Sequence, residues 1–140
     1  MSTMRAASAP KTIYFDFSSG IDSLWLNTSI YRFTIKTYEF IKLVYHRIVQ
    51  QFRKEYKYNL GTELQQIIWQ ILEKIIKTNS LPDTQKREGL EKISQLFDRF
   101  KIRFRFAYEI GLMTDKKFGI AQKEMEEIGK MIGGWQKWAK

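Results

Sequence analysis

The chain has 140 residues, of which 44% are apolar and 15% aromatic, and it carries a formal net charge of +9. This length and hydrophobicity suit one folded domain with its own core and exclude a disordered chain, while the positive charge favours a negatively charged partner. The absence of cysteine excludes disulfides, thiolate metal sites and thiol nucleophiles.

Residues 1–33 differ in kind from the rest of the chain. The stretch KTIYFDF (11–17) alternates like a short strand, whereas SSGIDSLWLNTS (18–29) is rich in turn residues and has no clear period. We interpret 1–33 as an N-terminal extension, partly disordered or forming a short strand, and 34–140 as the folded domain. With no signal-like apolar run and no window of ~20 apolar residues, we expect a cytoplasmic protein without a membrane partner.

The segment 34–58 is predicted to form the first amphipathic helix, because its apolar residues recur at three- and four-residue spacings without Gly or Pro. It is strongly basic, with six Lys or Arg against two Glu. Its end, RKEYKY (53–58), combines cations that neutralise phosphates with tyrosines that stack on unpaired bases. A solvated basic helix end explains the same cluster without a ligand. We favour nucleic-acid contact because the whole chain is basic as well.

The segment TELQQIIWQILEKIIK (62–77) holds apolar residues at i, i+3, i+4 and i+7 over three turns. We therefore predict a second helix, although many of these residues are β-branched and favour strands on propensity alone. Residues 59–79 carry two Lys and two Glu, so their charges cancel. We interpret this helix as the neutral, buried one of the domain.

The stretch DRFKIRFRFAYEIGL (98–112) alternates apolar and basic side chains as a strand does. Helix signals bound it on both sides: Ser80 in SLPD (80–83) reads as an N-cap, and Gly111 followed by Leu112 reads as a C-cap. Between them, apolar residues recur every three or four positions. We therefore predict a third helix rather than a strand.

A helix over this stretch places Ile102 and Phe106 opposite its core-facing side. We prefer burial of these two residues against a second subunit, and the alternative is that they are scattered exposed side chains of the ordinary kind. Basic residues flank this outer face or lie further along the helix: Lys92, Arg99, Arg103 and Arg105.

A fourth helix is predicted from Thr114 onward, where apolar residues alternate at three and four positions. Four helices with short connections predict an antiparallel four-helix bundle. Gly129 and Gly133 lie one turn apart in this helix. They either provide a smooth strip for close helix approach, as at a subunit interface, or loosen the helix before its end.

Enzymatic chemistry has little support in the sequence. His46 is the only histidine, which excludes metal sites built on histidine pairs, and there is no glycine-rich phosphate-binding loop. We expect a protein that is not an enzyme and has no metal site or cofactor.

Four stretches resemble the accessory variability determinant (Avd) proteins of diversity-generating retroelements. They are KTYEFI (36–41), LGTELQQIIWQILEKIIK (60–77), AYEIGLMTDKKF (107–118) and EIGKMIGGW (127–135). The last is the most specific, and the match covers about residues 34–140. The chain also resembles, more distantly, the helix-bundle proteins encoded in intervening sequences of bacterial 23S rRNA.

The resemblance to Avd proteins implies a four-helix bundle that assembles as a barrel-like, basic homopentamer. It implies an accessory protein without an active site, which associates with the reverse transcriptase and with template RNA or an RNA-DNA hybrid to support error-prone cDNA synthesis in mutagenic retrohoming. The more distant resemblance implies a structural or protein-interaction module instead.

The candidates for nucleic-acid binding come from charge placement in this sequence, and those for the oligomer interface from helix geometry and glycine spacing; neither set comes from the resemblance. For nucleic acid they are Arg47, Arg53, Lys54, Lys57, Lys92, Arg99, Arg103 and Arg105. For the oligomer interface they are Ile102, Phe106, Gly129 and Gly133.

Overall fold

The computed structural model describes residues 24–139, and side-chain surroundings from residue 30 onward. Its helices are α1 (Leu24–Leu43), the one-turn α2 (Lys54–Lys57), α3 (Leu60–Asn79), α4 (Asp83–Glu109) and α5 (Asp115–Trp138). The all-α prediction is confirmed, since residues 24–139 contain no strand. None of the described helices is long and apolar enough to cross a membrane. The strand predicted at 11–17 lies outside the described residues.

The four long helices pack as a bundle in which α1 and α4 each lie against both α3 and α5. Neighbouring helices run antiparallel: Phe33 in α1 meets Trp135 near the end of α5, whereas Lys36, further along α1, pairs with Glu124 earlier in α5. The two ring centroids are 5.9 Å apart and meet edge to face, a favoured aromatic geometry. The largest fully buried aromatic side chains are Phe40, Phe100 and Phe104.

The first helix begins earlier than the sequence pattern predicted. It starts at Leu24 rather than at 34, and its residues Ile30 and Phe33 are buried in the core. The turn-rich composition of this stretch concealed the helix, because polar residues between these apolar positions weakened the periodic signal. Thr34 and Thr37 are buried here with their hydroxyls donating to the carbonyls of Ile30 and Phe33, each at 2.9 Å.

The first helix also ends earlier than predicted, because 34–58 is not one continuous helix. After α1 the chain widens into a π-helical turn at Val44–Ile48 and tightens into a 3₁₀ turn at Val49–Gln51. Phe52 is then extended, with ψ of 146°, and only 4% of it is exposed. The break buries Phe52, and the helix resumes as the separate α2.

The stretch 98–112 is helical through Glu109, as predicted. Its end is a Schellman motif: the N–H of Gly111 donates to the carbonyl of Tyr108, and that of Leu112 to the carbonyl of Ala107, both at 3.0 Å. Gly111 has φ of +85°, which glycine adopts without a steric cost. The predicted glycine cap is therefore confirmed, and Leu112 next to it is buried.

The predicted N-cap at Ser80 is wrong. The Ser80 hydroxyl donates to the carbonyl of Lys77 at 2.7 Å, which places it at the end of α3, and Pro82 occupies the N-cap position of α4 without a side-chain cap. Buried Lys86 stabilises the connection between α3 and α4 instead. Its ammonium donates to the carbonyl of Asn79, at 3.0 Å, and to that of Leu81. A cation at a helix C-terminus satisfies unpaired carbonyls and complements the helix dipole.

The predicted start of α5 is confirmed. The hydroxyl of Thr114 accepts a hydrogen bond from the backbone N–H of Lys117 at 3.1 Å, which is the standard N-cap arrangement. Because Thr114 follows so closely on Gly111, the connection between α4 and α5 is short and sets the two helices side by side.

Candidate nucleic-acid interface

Half of the predicted nucleic-acid-binding cations already have a carboxylate partner within the chain. The pairs and their N–O distances are Arg53–Glu55 at 3.3 Å, Lys92–Glu88 at 3.6 Å, Arg103–Glu63 at 3.4 Å and Arg105–Glu109 at 2.8 Å. The others, Arg47, Lys54, Lys57 and Arg99, have no ion-pair partner among the described residues. Unpaired cations are the stronger phosphate ligands, because no carboxylate offsets their charge.

The structure distributes these eight cations over separate surfaces rather than one. The first surface is the α2 end, where Arg53, Lys54 and Lys57 lie close in sequence around a single helical turn. Lys92 and Arg99 line hollows between α3 and α4, whereas Arg105 lines a groove between α4 and α5. Arg47 lies in the π-helical turn, and Arg103 ties α4 to the beginning of α3.

Three hollows along the α3–α4 boundary share lining residues and form what we term the basic trough. Their volumes are about 310, 250 and 330 Å³. Lys74 lines all three, Lys77 and Lys92 line two each, and Arg99 lines one. The sequence prediction included Lys92 and Arg99 but missed Lys74 and Lys77.

The trough is electropositive. Its four cations face two lining carboxylates, Glu73 and Glu88, and Glu88 is paired with Lys92. Lys74, Lys77 and Arg99 have no ion-pair partner among the described residues. Cations gathered in a concave surface focus positive potential and so attract a negatively charged phosphate chain.

A groove between α4 and α5, which we term the apolar groove, has a volume of about 450 Å³. Ile102 is 70% exposed and Phe106 52% exposed, and both line it together with Phe118 and Met125. The sequence prediction that Ile102 and Phe106 face away from the core is therefore confirmed.

Gly129 and Gly133 do not serve close packing within the chain. A Cβ at Gly129 would make an ordinary contact of 3.6 Å with Phe97, and one at Gly133 would meet nothing within 4 Å. Helix α5 continues through both residues to Trp138, so they do not mark a frayed end. Their role in an oligomer interface stays a prediction.

Shifted pKa values lie away from the trough and the α2 end. Hydrogen bonds to Glu124 and Glu127 raise the pKa of Lys36 above its ordinary value, and the same bond from Lys36 lowers the pKa of Glu127. The hydrogen bond to Asp115, at 2.7 Å, raises the pKa of Tyr108. These are helix-to-helix and helix-cap contacts. The described residues contain no group of acidic or histidine side chains arranged to hold a metal ion.

The fold and its surfaces define a class of protein: a basic four-helix bundle whose described residues form a cationic trough and an apolar groove. A search of curated proteins found no match. The model of the bAvd-like family matches residues 33–139, well over half of the chain. The chain therefore belongs to the bAvd-like family, the Avd-type proteins of diversity-generating retroelements, as the sequence resemblance predicted.

Proposed function

We propose that this protein is a non-enzymatic accessory subunit of a diversity-generating retroelement. It binds template RNA or the RNA-cDNA hybrid and holds it near the reverse transcriptase during error-prone cDNA synthesis. The observation that carries the nucleic-acid part is the basic trough, where Lys74, Lys77 and Arg99 have no ion-pair partner among the described residues. Family membership supplies the link to the retroelement.

Salt dependence is the physical signature of this binding. Each phosphate that a lysine or arginine neutralises releases a condensed counterion, so the logarithm of the affinity falls linearly with the logarithm of the salt concentration. The slope counts the phosphates contacted, at about 0.7 per contact for single strands and about 0.9 for duplex DNA. Removing two trough lysines therefore reduces the slope by about 1.4 for a single strand.

The experiment compares Lys74→Gln/Lys77→Gln with a matched control, Lys42→Gln/Lys101→Gln. Both double variants remove two lysines, but Lys42 and Lys101 are already paired on their own helices, with Glu39 at 3.1 Å and with Asp98 at 3.3 Å. Affinity for a labelled RNA is measured across a salt series. The trough variant is expected to bind RNA more weakly and with a shallower dependence of affinity on salt. The control is expected to keep the affinity and the salt dependence of the wild type.

Two results would overturn the nucleic-acid proposal. One is undetectable binding of the wild type to RNA, DNA or their hybrid. The other is binding that does not respond to salt. Association with the reverse transcriptase is tested separately, by co-purification of the two proteins after nuclease treatment, because a bridging RNA would otherwise imitate a direct contact.

The apolar groove favours a second candidate, a structural module that joins proteins. Ile102 and Phe106 expose much of their surface, and burial of such side chains is a driving force for protein association. In that case binding to a partner protein survives nuclease treatment and loss of the trough lysines but fails in Phe106→Asp. The first candidate predicts that nucleic-acid affinity responds to the trough lysines.

A further inference from the structure

We propose that the connection between α2 and α3 is a base-stacking site for single-stranded nucleic acid, centred on Tyr58. This proposal rests on the nucleic-acid binding proposed above and names the form of nucleic acid that is bound. Tyr58 is 72% exposed, the largest exposed fraction among the large apolar side chains that the structure describes. An aromatic ring this exposed has most of its surface available to a ligand.

The backbone that presents Tyr58 is fixed on both sides. The side-chain amide of Asn59 donates to the carbonyl of Glu55 in α2, at 2.9 Å, and its oxygen accepts from the backbone N–H of Leu60 in α3. One side chain therefore ties the two helices together across Tyr58. A ring on an ordered connection loses little conformational entropy when a base stacks on it.

Packing beneath the connection also limits its movement. A Cβ on Gly61 would lie 2.7 Å from Cγ1 of Val49, a separation that real side chains do not adopt. The first turn of α3 therefore sits directly against the 3₁₀ turn that precedes α2. This close approach needs glycine, and it holds the beginning of α3 in place.

The two tyrosines of this region have different roles. Tyr56 is half-buried against the core, and the guanidinium of Arg53 lies 5.4 Å from its ring centroid. Tyr58 points to solvent, and the ammonium of Lys57 lies 5.9 Å from its ring centroid. Since Tyr58 is 72% exposed, the lysine does not cover both of its faces. Tyr58 is therefore the ring that can take a base.

The charges around Tyr58 suit a phosphate chain. Lys54 and Lys57 have no ion-pair partner among the described residues, and the only carboxylate of the α2 turn, Glu55, is paired with Arg53 at 3.3 Å. A stacked base next to unpaired cations that bind the adjoining phosphates is the combination found in proteins that bind single strands.

The ring selects single strands because a duplex has no free base faces except at its ends. In a double helix each base is stacked between its neighbours, whereas an unpaired base exposes the face on which an aromatic side chain stacks. A protein partner fits less well, since the cation next to the Tyr58 ring is Lys57, and lysine is depleted at protein interfaces. The basic trough differs from Tyr58, because its cations contact phosphates alone and therefore bind single strands and duplexes alike.

The test measures binding of the full chain to a labelled single-stranded RNA of roughly 20 nucleotides and to the matching RNA duplex. Tyr58→Ala is expected to weaken single-strand binding about tenfold and to leave duplex binding within about twofold of the wild type. Tyr58→Phe keeps the ring and is expected to bind both as the wild type does. Trp138→Ala, which removes another exposed aromatic at the far end of the bundle, is the matched control.

Unchanged single-strand binding by Tyr58→Ala would overturn the proposal, as would an equal loss for both RNAs. A change in the mass of the protein caused by Tyr58→Ala would also overturn it, in favour of a protein contact. If circular dichroism shows that Tyr58→Ala is unfolded, quenching of a fluorescent base analogue by wild type and by Tyr58→Leu decides the question: equal quenching contradicts stacking. Undetectable binding of the wild type to any nucleic acid would instead contradict the proposed function itself.

Discussion

Thr78 is fully buried where α3 meets α4, and its hydroxyl has no hydrogen-bond partner among the described residues. The contact is tight, because a Cβ on the facing Gly89 would lie 2.4 Å from that hydroxyl oxygen. A buried polar atom without a partner loses its hydrogen bonds to water and gains none in return. The unsatisfied hydroxyl of Thr78 therefore lowers the free energy of unfolding, and a side chain of the same shape without the hydroxyl would avoid this loss.

Replacement of Thr78 by valine is predicted to stabilise the protein by about 1 kcal/mol, because valine has the same shape and leaves nothing unsatisfied. Thr37→Val is the matched control: the Thr37 hydroxyl is buried but donates to the carbonyl of Phe33 at 2.9 Å, so its removal is expected to cost stability. Urea unfolding of the two variants measures both changes. Destabilisation of equal size in both would show that the Thr78 hydroxyl does have a partner in solution.

Lys36 joins α1 to α5 by reaching two carboxylates, Glu124 at 2.6 Å and Glu127 at 2.7 Å. The hydrogen bond from Lys36 lowers the pKa of Glu127 below its ordinary value. A carboxylate whose pKa is lower in the folded state contributes stability that is complete above its unfolded pKa. That contribution is lost as the pH falls through the folded pKa.

Glu127→Gln is therefore predicted to lower the Tm at neutral pH, by an amount that shrinks as the pH falls through the lowered pKa of Glu127 and the wild-type carboxyl becomes protonated as well. The effect is small, since solvent reaches this ion pair. Glu126→Gln, the neighbouring residue without an ion pair among the described residues, is expected to leave the Tm unchanged across the same range. A Tm difference for Glu127→Gln that does not depend on pH would point to a cause other than this ion pair.

At the scale of whole elements, the connection between α4 and α5 depends on the backbone conformation of Gly111. Gly111 has φ of +85°, and a Cβ there would meet nothing within 4 Å, so any cost of substitution comes from the backbone conformation alone. Gly111→Ala is predicted to destabilise the protein by about 1 kcal/mol. Gly119 is also open on all sides but helical, so Gly119→Ala should stabilise by a similar amount. Thermal unfolding of the pair tests the opposite signs.

Both ends of that connection could be predicted from the sequence, because one residue's own chemistry determines each of them. Gly111 tolerates positive φ, and the Thr114 hydroxyl accepts from a backbone N–H three residues on. The α3–α4 connection could not be predicted in the same way. Ser80 can bond either to a following N–H or to a preceding carbonyl. In the structure it bonds to the carbonyl of Lys77, and the connection is held by the buried ammonium of Lys86, which lies further along the chain and donates to the carbonyl of Asn79.

The break after α1 was also hidden from sequence analysis. Its apolar residues keep helical spacing through Phe52, so periodicity predicted one long helix. The position of the break reflects tertiary contact, since Val49 approaches Gly61 and Phe52 must be buried. Such long-range packing overrides a local pattern and leaves no local signal.

At the scale of the whole molecule, tertiary packing without a local sequence signal also explains why the sequence analysis missed two of the four trough cations, Lys74 and Lys77. Counting charges along α3 gave a neutral helix, and that count is correct, but Lys74 and Lys77 both lie on the edge that faces Lys92 and Arg99 of α4. A trough formed by two antiparallel helices depends on their register, which no single-helix count contains. The charge count identified which helix is basic, but it did not identify which surface of the bundle is basic.

The trough and the apolar groove lie on different sides of α4, because one is bounded by α3 and the other by α5. Self-association through the groove would therefore leave the trough open to nucleic acid. Because the resemblance to Avd proteins implies a homopentamer, we predict that the protein in high salt has five times the 16.8 kDa mass of the chain by light scattering. Phe106→Asp, which buries a charge in the interface, is predicted to reduce the mass to that of one chain. Tyr58→Ala should keep the wild-type mass.

Gly133 gives a sharper test of the same assembly. Within one chain a Cβ at this position meets nothing within 4 Å, and glycine inside a helix costs about 1 kcal/mol relative to alanine, so Gly133→Leu should stabilise an isolated chain. If a second subunit packs closely on this strip, the leucine side chain blocks its approach. We therefore predict that Gly133→Leu lowers the mass while the protein stays helical by circular dichroism.

Gly119→Leu is the matched control for Gly133→Leu, because Gly119 lies in the same helix and a Cβ there also meets nothing within 4 Å. It should keep the wild-type mass. Loss of assembly in both variants would mean that the effect does not belong to the predicted strip. Retention of the full mass by Gly133→Leu would show that this glycine is not in the interface. Glycine would then destabilise the helix at this position without a contact that offsets the loss.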